Sequence, residues 1–179
     1  MSLKQVEQTL LTSNELNISF LEQMVSNLVN RGVDFCDFYL QNATNESFAL
    51  DEGIIKSGNF AIDQGIGVRA ICKEKSFLSY SNSLAPKTIS ILVNDLFIEP
   101  IQNHKTNINH KIDELNLYTI ANPINSHTST EKIALLNKID SYGRSYNYVT
   151  NVIANLSLDY EEIFIINNQS SPSSINTVF

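Results

Sequence analysis

The stretch NFAIDQGIGVRAIC, residues 59–72, decides the fold. Ile66, Val68, Ala70 and Cys72 fall on one face of an extended chain, and Gly65, Gly67, Arg69 and Ile71 fall on the other. A period of two means a strand. The polar turn Lys73-Glu74-Lys75-Ser76 then leads back into Phe77, Leu78 and Tyr80, which predicts an antiparallel hairpin. Upstream, VDFCDFYLQ (33–41) is rich in aromatic and β-branched residues and reads as a strand, with a further strand predicted over Glu46 to Leu50. Asp51-Glu52-Gly53 turns that strand into Ile54-Ile55-Lys56, with the glycine permitting a backbone dihedral that other residues resist.

Helices flank these strands. Ser19 and Glu22 have capping-box spacing, Phe20, Leu21, Met24, Val25 and Leu28 recur at helical spacing, and Gly32 supplies a left-handed stop, so a helix is predicted over 19–31. A short earlier helix is expected over Leu3 to Leu11. Ser83 as cap, Pro86 in the first turn and the stripe Ile89, Leu92, Val93, Leu96, Phe97 predict a second helix to about residue 98. Thr128 with Glu131 repeats the capping-box spacing, and Ile133, Leu135, Leu136, Ile139 and Tyr142 predict a third helix, stopped near Gly143. Beyond it, Tyr148 to Leu158 alternates, and Glu161 to Ile166 reads as a paired strand after a turn at Leu158-Asp159-Tyr160.

The predicted class is therefore α+β: a mostly antiparallel sheet with helices packed on one side, followed by an incomplete helix-hairpin region. An α+β domain is expected over 1–100, a linker or edge-strand region over 101–129, the start of a second region over 130–168 and a frayed tail over 169–179.

Of 179 residues, 12 are Lys or Arg and 19 are Asp or Glu, a net charge of −7. Such a chain lacks the clustered cations that phosphate backbones require, so nucleic-acid binding by charge is excluded as an expectation. No apolar run approaches the roughly 20 residues that cross a bilayer, and no signal peptide is read at the start, so no membrane partner is expected. Two distant cysteines, Cys36 and Cys72, read as reduced thiols in small buried positions, which points to the cytoplasm.

The residues offer no visible active centre. His104, His110 and His127 lie in polar sequence without HExxH or CxxC spacing, so they read as solvated. Gly65-Ile66-Gly67-Val68-Arg69 lacks the third glycine of a nucleotide loop and sits inside a strand. A bulge, a close strand approach or a surface on which another backbone lies remain open for it. Arg69 points to the glycine-lined face, where it could pair with Asp63, Asp51 or a partner's carboxylate. Asp34 and Asp37 are three apart and are expected to face opposite ways.

The run DEGIIKSGNFAIDQGIGVRAICKEKSFLSYSN (51–82), with the opening MSLKQVEQTLL (1–11) and GVDFCDFYLQNATNESFAL (32–50), resembles the N-terminal part of the TldD/PmbA family. The run EKIALLNKIDSYGRSYNYVTNVIANLSLDYEEIFIINN (131–168) is similar to its continuation. The resemblance implies a zinc metallopeptidase of the bacterial cytosol that cleaves unfolded or short peptides in a paired complex. It also implies an N-terminal α/β layer shaping the peptide channel and subunit contacts, which makes Asp63, Gly65, Gly67 and Arg69 candidate peptide or subunit contacts, and a zinc-binding HExxxH helix in a later domain. No HExxxH stands in this sequence, so no zinc is expected in this chain, although the complete family member holds one. A truncated, split or degraded copy is the expectation, inactive alone. Its implied partners are a PmbA-like subunit or a C-terminal TldD polypeptide, and peptide in the complete enzyme.

Overall fold

The computed structural model describes residues 6–96, 122–169 and, as strand backbone, 173–178. The predicted edge strand around 113–120 and most of the expected 101–129 connection lie outside the described residues. The chain opens with a π-helical turn, Glu7–Leu11, and a 3-10 turn, Thr12–Asn14, where a short helix is predicted. Helix α1 follows at Ile18–Asn30. Its cap is Asn17 rather than Ser19: Asn17 is extended, and its side chain accepts the Phe20 N–H at 2.8 Å. Ser19 already lies inside the helix, so its spacing to Glu22 falls within the first turn. Gly32, at φ +88°, ends α1 as predicted, with its N–H donating to the Val29 carbonyl and Val33 to that of Leu28.

Strand β1 is Phe35–Asp51, β2 is Ile54–Cys72 and β3 is Lys75–Ser81. The two strands predicted over 33–41 and 46–50 are one. Polar side chains between them find cross-strand partners, Asn42 on Glu162 at 3.4 Å and Asn45 on Asp159 at 2.6 Å, so polarity does not break the ladder. Glu52 and Gly53 both have positive φ, the conformation that a tight two-residue hairpin turn demands. Lys73, at φ +56°, starts the second turn, and Cys72 pairs with Lys75 in the antiparallel register that runs to Ile66 and Ser81.

Strand β4 is Ile153–Asn167, and β5 is Ser173–Val178. The predicted turn at residues 158–160 is absent, because Asp159 is held in the ladder by Asn45. The helix-hairpin region closes later, with β5 beside β4 in the stretch where loss of periodicity predicts fraying. Sheet order is β3-β2-β1-β4-β5. From Cys36 to Asn42 on β1, the partner recedes from Asn168 to Glu162 on β4, so these strands are antiparallel. The class is the predicted α+β.

Two compact units divide the described residues. The first contains 6–42, 63–96 and 162–169. Alternation sends Cys36, Phe38 and Leu40 of β1, Ile66, Val68 and Ala70 of β2, and Phe164 and Ile166 of β4 into one core. Over them pack Leu21, Val25 and Leu28 of α1 and Ile89 and Val93 of helix α2, Pro86–Asp95. The cap of α2 is Ala85 with Pro86 at the first position; the predicted cap, Ser83, instead accepts from the Ala85 N–H and the Thr88 hydroxyl at 3.4 and 3.3 Å. Arg31 at the end of α1 donates to the carbonyls of Val93 and Leu96 at 2.7 and 2.5 Å, satisfying acceptors that the end of α2 leaves open.

The second unit contains 43–62 and 122–161. It holds a single turn, α3 (Pro123–Ser126), and helix α4, Ser129–Arg144. The predicted Thr128–Glu131 capping box is present. Gly143 is not the stop. It lies within α4, where a Cβ would meet Val152 Cγ2 at 2.7 Å, so the glycine serves close packing. The buried stripe of α4 also differs from prediction: Lys132, Leu136 and Asp140 are buried, while Leu135, Ile139 and Tyr142 are exposed. Polar anchors turn the helix this way. The Lys132 ammonium, 5% exposed, pairs with buried Glu46 and donates to the Ile124 carbonyl at 2.7 Å, while Ser129 donates to Glu46 at 3.2 Å. Arg144 holds Asp140 at 2.9 Å.

Removing one partner of the buried pair strands the other charge, which costs about 3–5 kcal/mol. Urea unfolding of Lys132→Ala is expected to show that loss. The double replacement Glu46→Leu with Lys132→Met is expected to recover most of it, and equal loss in both would contradict a desolvated pair.

Candidate functional site

Strand alternation that buries Cys36, Phe38 and Leu40 places Phe35, Asp37, Tyr39 and Gln41 on the opposite face of β1. On β2 the same face carries Asp63, Gly65, Gly67 and Arg69. The β2–β3 register sets Leu78 across from Arg69 and Tyr80 across from Gly67. Leu78 and Tyr80 are 70% and 80% exposed. No described helix of the first unit's core packs there, since the helical residues of that core lie with the other set.

One end of this face is a closed electrostatic unit. Arg69 donates through Nε and Nη2 to the two carboxylate oxygens of Asp37 at 2.8 and 3.0 Å, and its guanidinium lies 5.6 Å from the centre of the Phe35 ring. The hydrogen bonds to Asp37, and then its charge, raise the Arg69 pKa above its ordinary value. The expected partners Asp63 and Asp51 do not hold Arg69. Asp37 does, and sequence spacing missed it because the register that sets Asp37 of β1 beside Arg69 of β2 cannot be read from the linear order. The alternating faces of β1 carried the signal: Asp37 shares a side with Phe35 and Tyr39. Asp34 is separate, accepting the Lys73 N–H at 2.6 Å at the hairpin tip.

Farther along the face, the antiparallel step from the Asp37–Arg69 pair brings Tyr39 toward Gly67 and Gln41 toward Gly65. These residues, with Gln64, Tyr80, Ser81 and Asn82, line an open depression of about 640 Å³. Gly65 and Gly67 are thus brought together. Arg69 adjoins them without lining the depression, and Asp63 is exposed outside it. The two glycines serve different ends. A Cβ on Gly65 would stand 2.8 Å from the Ser81 carbonyl oxygen, so Gly65 permits a close strand approach. A Cβ on Gly67 would meet nothing within 4 Å. Cross-strand aromatic rings often fold over a strand glycine, yet Tyr80 leaves Gly67 open.

The second unit has its own depression of about 480 Å³, where Glu46 and Lys132 meet Phe60 and His127. Its charges are committed to the ion pair already described.

Among the described residues, no three or more His, Cys, Asp or Glu side chains form a group that could hold a metal ion. His127 lies 3.9 Å from Glu131 at the exposed start of α4, and His104 and His110 fall outside the described residues. Cys36 and Cys72 are free. Burial, and secondarily the Asp37 charge, push the Cys36 thiol up to about 12, which keeps it neutral and unreactive. The donor set of these residues therefore does not fit a zinc ion. Among the described residues, no helix is long and apolar enough to cross a membrane.

Residues 36–96 match the family described as PmbA/TldA metallopeptidase domain 1. This chain's N-terminal domain matches the PmbA/TldD family. A metalloprotease TldD homolog from Haemophilus influenzae is 34% identical over 92% of the chain and 35% of its own length. Another, from Buchnera aphidicola of Schizaphis graminum, is 32% identical over 96% of the chain and 36% of its own length. The chain therefore spans about a third of the length of these curated TldD relatives. Two solved structures share the fold: a candidate DNA gyrase modulator from Thermotoga maritima, at 12% identity and TM-score 0.69 over 89% of the chain and 37% of its own, and TldE from Thermococcus kodakarensis, at 12% identity and TM-score 0.64 over the same shares.

The two glycines predict opposite stability changes. Gly67→Ala is expected to stabilise the fold by about 0.5–1 kcal/mol, because a strand glycine sacrifices chain entropy and space is open. Gly65→Ala is expected to lose about 1–3 kcal/mol through overpacking, and chemical denaturation distinguishes them. At pH 8, alkylation is expected to label Cys72 alone in the folded protein and both thiols after denaturation. The raised Cys36 pKa contributes stability below the unfolded thiol's value of about 8.5 and loses it as pH climbs toward 12.

Proposed function

We propose that this chain is the N-terminal, noncatalytic portion of a TldD-like zinc metallopeptidase, where it helps to shape the peptide channel and the subunit contacts. The observation that carries this reading is the alignment of nearly the whole chain with one third of proteins named as metalloprotease TldD homologs. A peptidase of that kind needs a metal-polarised water, and the described residues supply no donor set to hold the metal. The zinc ligands would come from the HExxxH helix of another polypeptide region.

In this reading the chain works by assembly with a C-terminal TldD polypeptide and a PmbA-like subunit, and the open face bearing Gly65 and Gly67 is a contact surface, with Asp63 and Arg69 at its margins. The uncovered apolar residues Leu135, Ile139 and Tyr142 on α4 support a second surface of the same purpose. Unpaired cysteines are compatible with work in the cytoplasm. Residues 1–100 would then form the N-terminal domain and 130–168 the start of the central one.

Co-expression tests the proposal. With a C-terminal TldD polypeptide carrying HExxxH and a PmbA-like subunit, the chain is expected to co-purify and to yield chelator-sensitive peptide cleavage, whereas the chain alone yields neither cleavage nor stoichiometric zinc. About one zinc per chain with chelator-sensitive cleavage by the lone chain would overturn it, as would no association at micromolar concentration.

A further inference from the structure

We propose that helix α4 is a detachable element: it lifts from the second unit and unwinds as one segment while the core of the first unit stays folded, because polar latches hold it where apolar burial holds α1. The inference rests on the second unit alone and does not depend on the proposed assembly. Of the sixteen residues of α4, Lys132, Leu136 and Asp140 are buried, and Leu136 is the one apolar member of that set. Helix α1, with thirteen residues, buries Leu21, Met24, Val25, Leu28 and Val29. The free energy that keeps an element docked follows the apolar area it buries, so α4 belongs to the easily opened end of the molecule.

The latches stand at the two ends of the helix. At its start, the Lys132 ammonium joins Glu46 of β1 and the Ile124 carbonyl, and the Ser129 hydroxyl donates to the other Glu46 oxygen. At its end, Arg144 holds Asp140 and donates to the Thr150 carbonyl and to Asn151 Oδ1 at 3.3 and 3.2 Å, while Asn151 donates to Asp51 of β1 at 2.8 Å. When the helix lifts, both members of each pair recover water together, so the latches hold by position rather than by area. A lifted α4 does not stay helical. A helix of this length is marginal alone in water, and Gly143 within it weakens it further. Undocking and unwinding are therefore one step.

The closed form turns Leu135, Ile139 and Tyr142 outward, whereas the open form uncovers Glu46 and the depression that it lines with Phe60 and Ile124. A molecule with different affinities for the two forms shifts the balance between them. Helix α4 is thus a two-state element whose setting the latches bias.

The test is native-state hydrogen exchange of the full chain, read by mass spectrometry in peptides from α1 and α4. Amides of α4 are expected to exchange together and roughly a hundredfold or more faster than those of α1, through an opening short of global unfolding. Lys132→Ala is expected to speed α4 exchange about a hundredfold or to the rate of unprotected amides, while α1 changes by less than about threefold. The paired variant Leu135→Gln with Ile139→Gln, on the outward face, is expected to keep α4 within about threefold of the parent. Equal protection of α1 and α4 would overturn the proposal, as would a Lys132→Ala variant that speeds both helices alike. Collapse of α4 protection in the double glutamine variant would also overturn it, because the outward stripe rather than the polar latches would then hold the helix.

Discussion

The first unit depends on a single constraint, that a strand shows successive side chains to opposite faces. Because Cys36, Phe38, Leu40, Ile66, Val68, Ala70, Phe164 and Ile166 all belong to one face, helices α1 and α2 can bury that face in one layer. The residues between them must then share the other. Asp37 meets Arg69, and Tyr39, Gly67 and Tyr80 come together, as consequences of the same alternation. The face that stabilises the fold and the face that leaves Leu78 and Tyr80 exposed are thus specified by interleaved residues, and a one-residue slip would exchange them.

The second unit is anchored differently. Its helix α4 turns a buried lysine toward Glu46 and leaves an apolar stripe outside. Burial of an ion pair in preference to Leu135 and Ile139 is a poor bargain for an isolated unit. Under the proposed function, a partner polypeptide covers that stripe. Hydrophobic area hidden by that polypeptide would offset the cost of desolvating Lys132 and Glu46.

Much of this was legible in the amino-acid order. The 66–72 strand and its turn at Lys73, the Glu52-Gly53 turn, the Gly32 stop and the Thr128 capping box rest on local chemistry, and local chemistry is what a linear pattern records. Long-range partners were not legible. Asn45 and Asp159 look like turn residues until each is seen to satisfy the other, and this is why β1 and β4 were expected to break where they run on. Leu135 was expected to be buried, and Lys132 did not stand out, because spacing gives the period of a helix but not which polar group awaits it across the unit. At the candidate site, the glycines and Arg69 stood out by composition, whereas Asp37, Tyr39 and Tyr80 became visible only when three strands were laid side by side.

Under the proposed function, the exposed side chain of Tyr80, on the face of β2 and β3 opposite the core, is covered in the working assembly. Hydroxyl-radical footprinting of Tyr80, with the chain alone and with a C-terminal TldD polypeptide and a PmbA-like subunit bound, measures that directly. Strong protection of Tyr80 on assembly is the predicted result. Full reactivity of Tyr80 in an assembled, peptide-loaded complex would contradict the account.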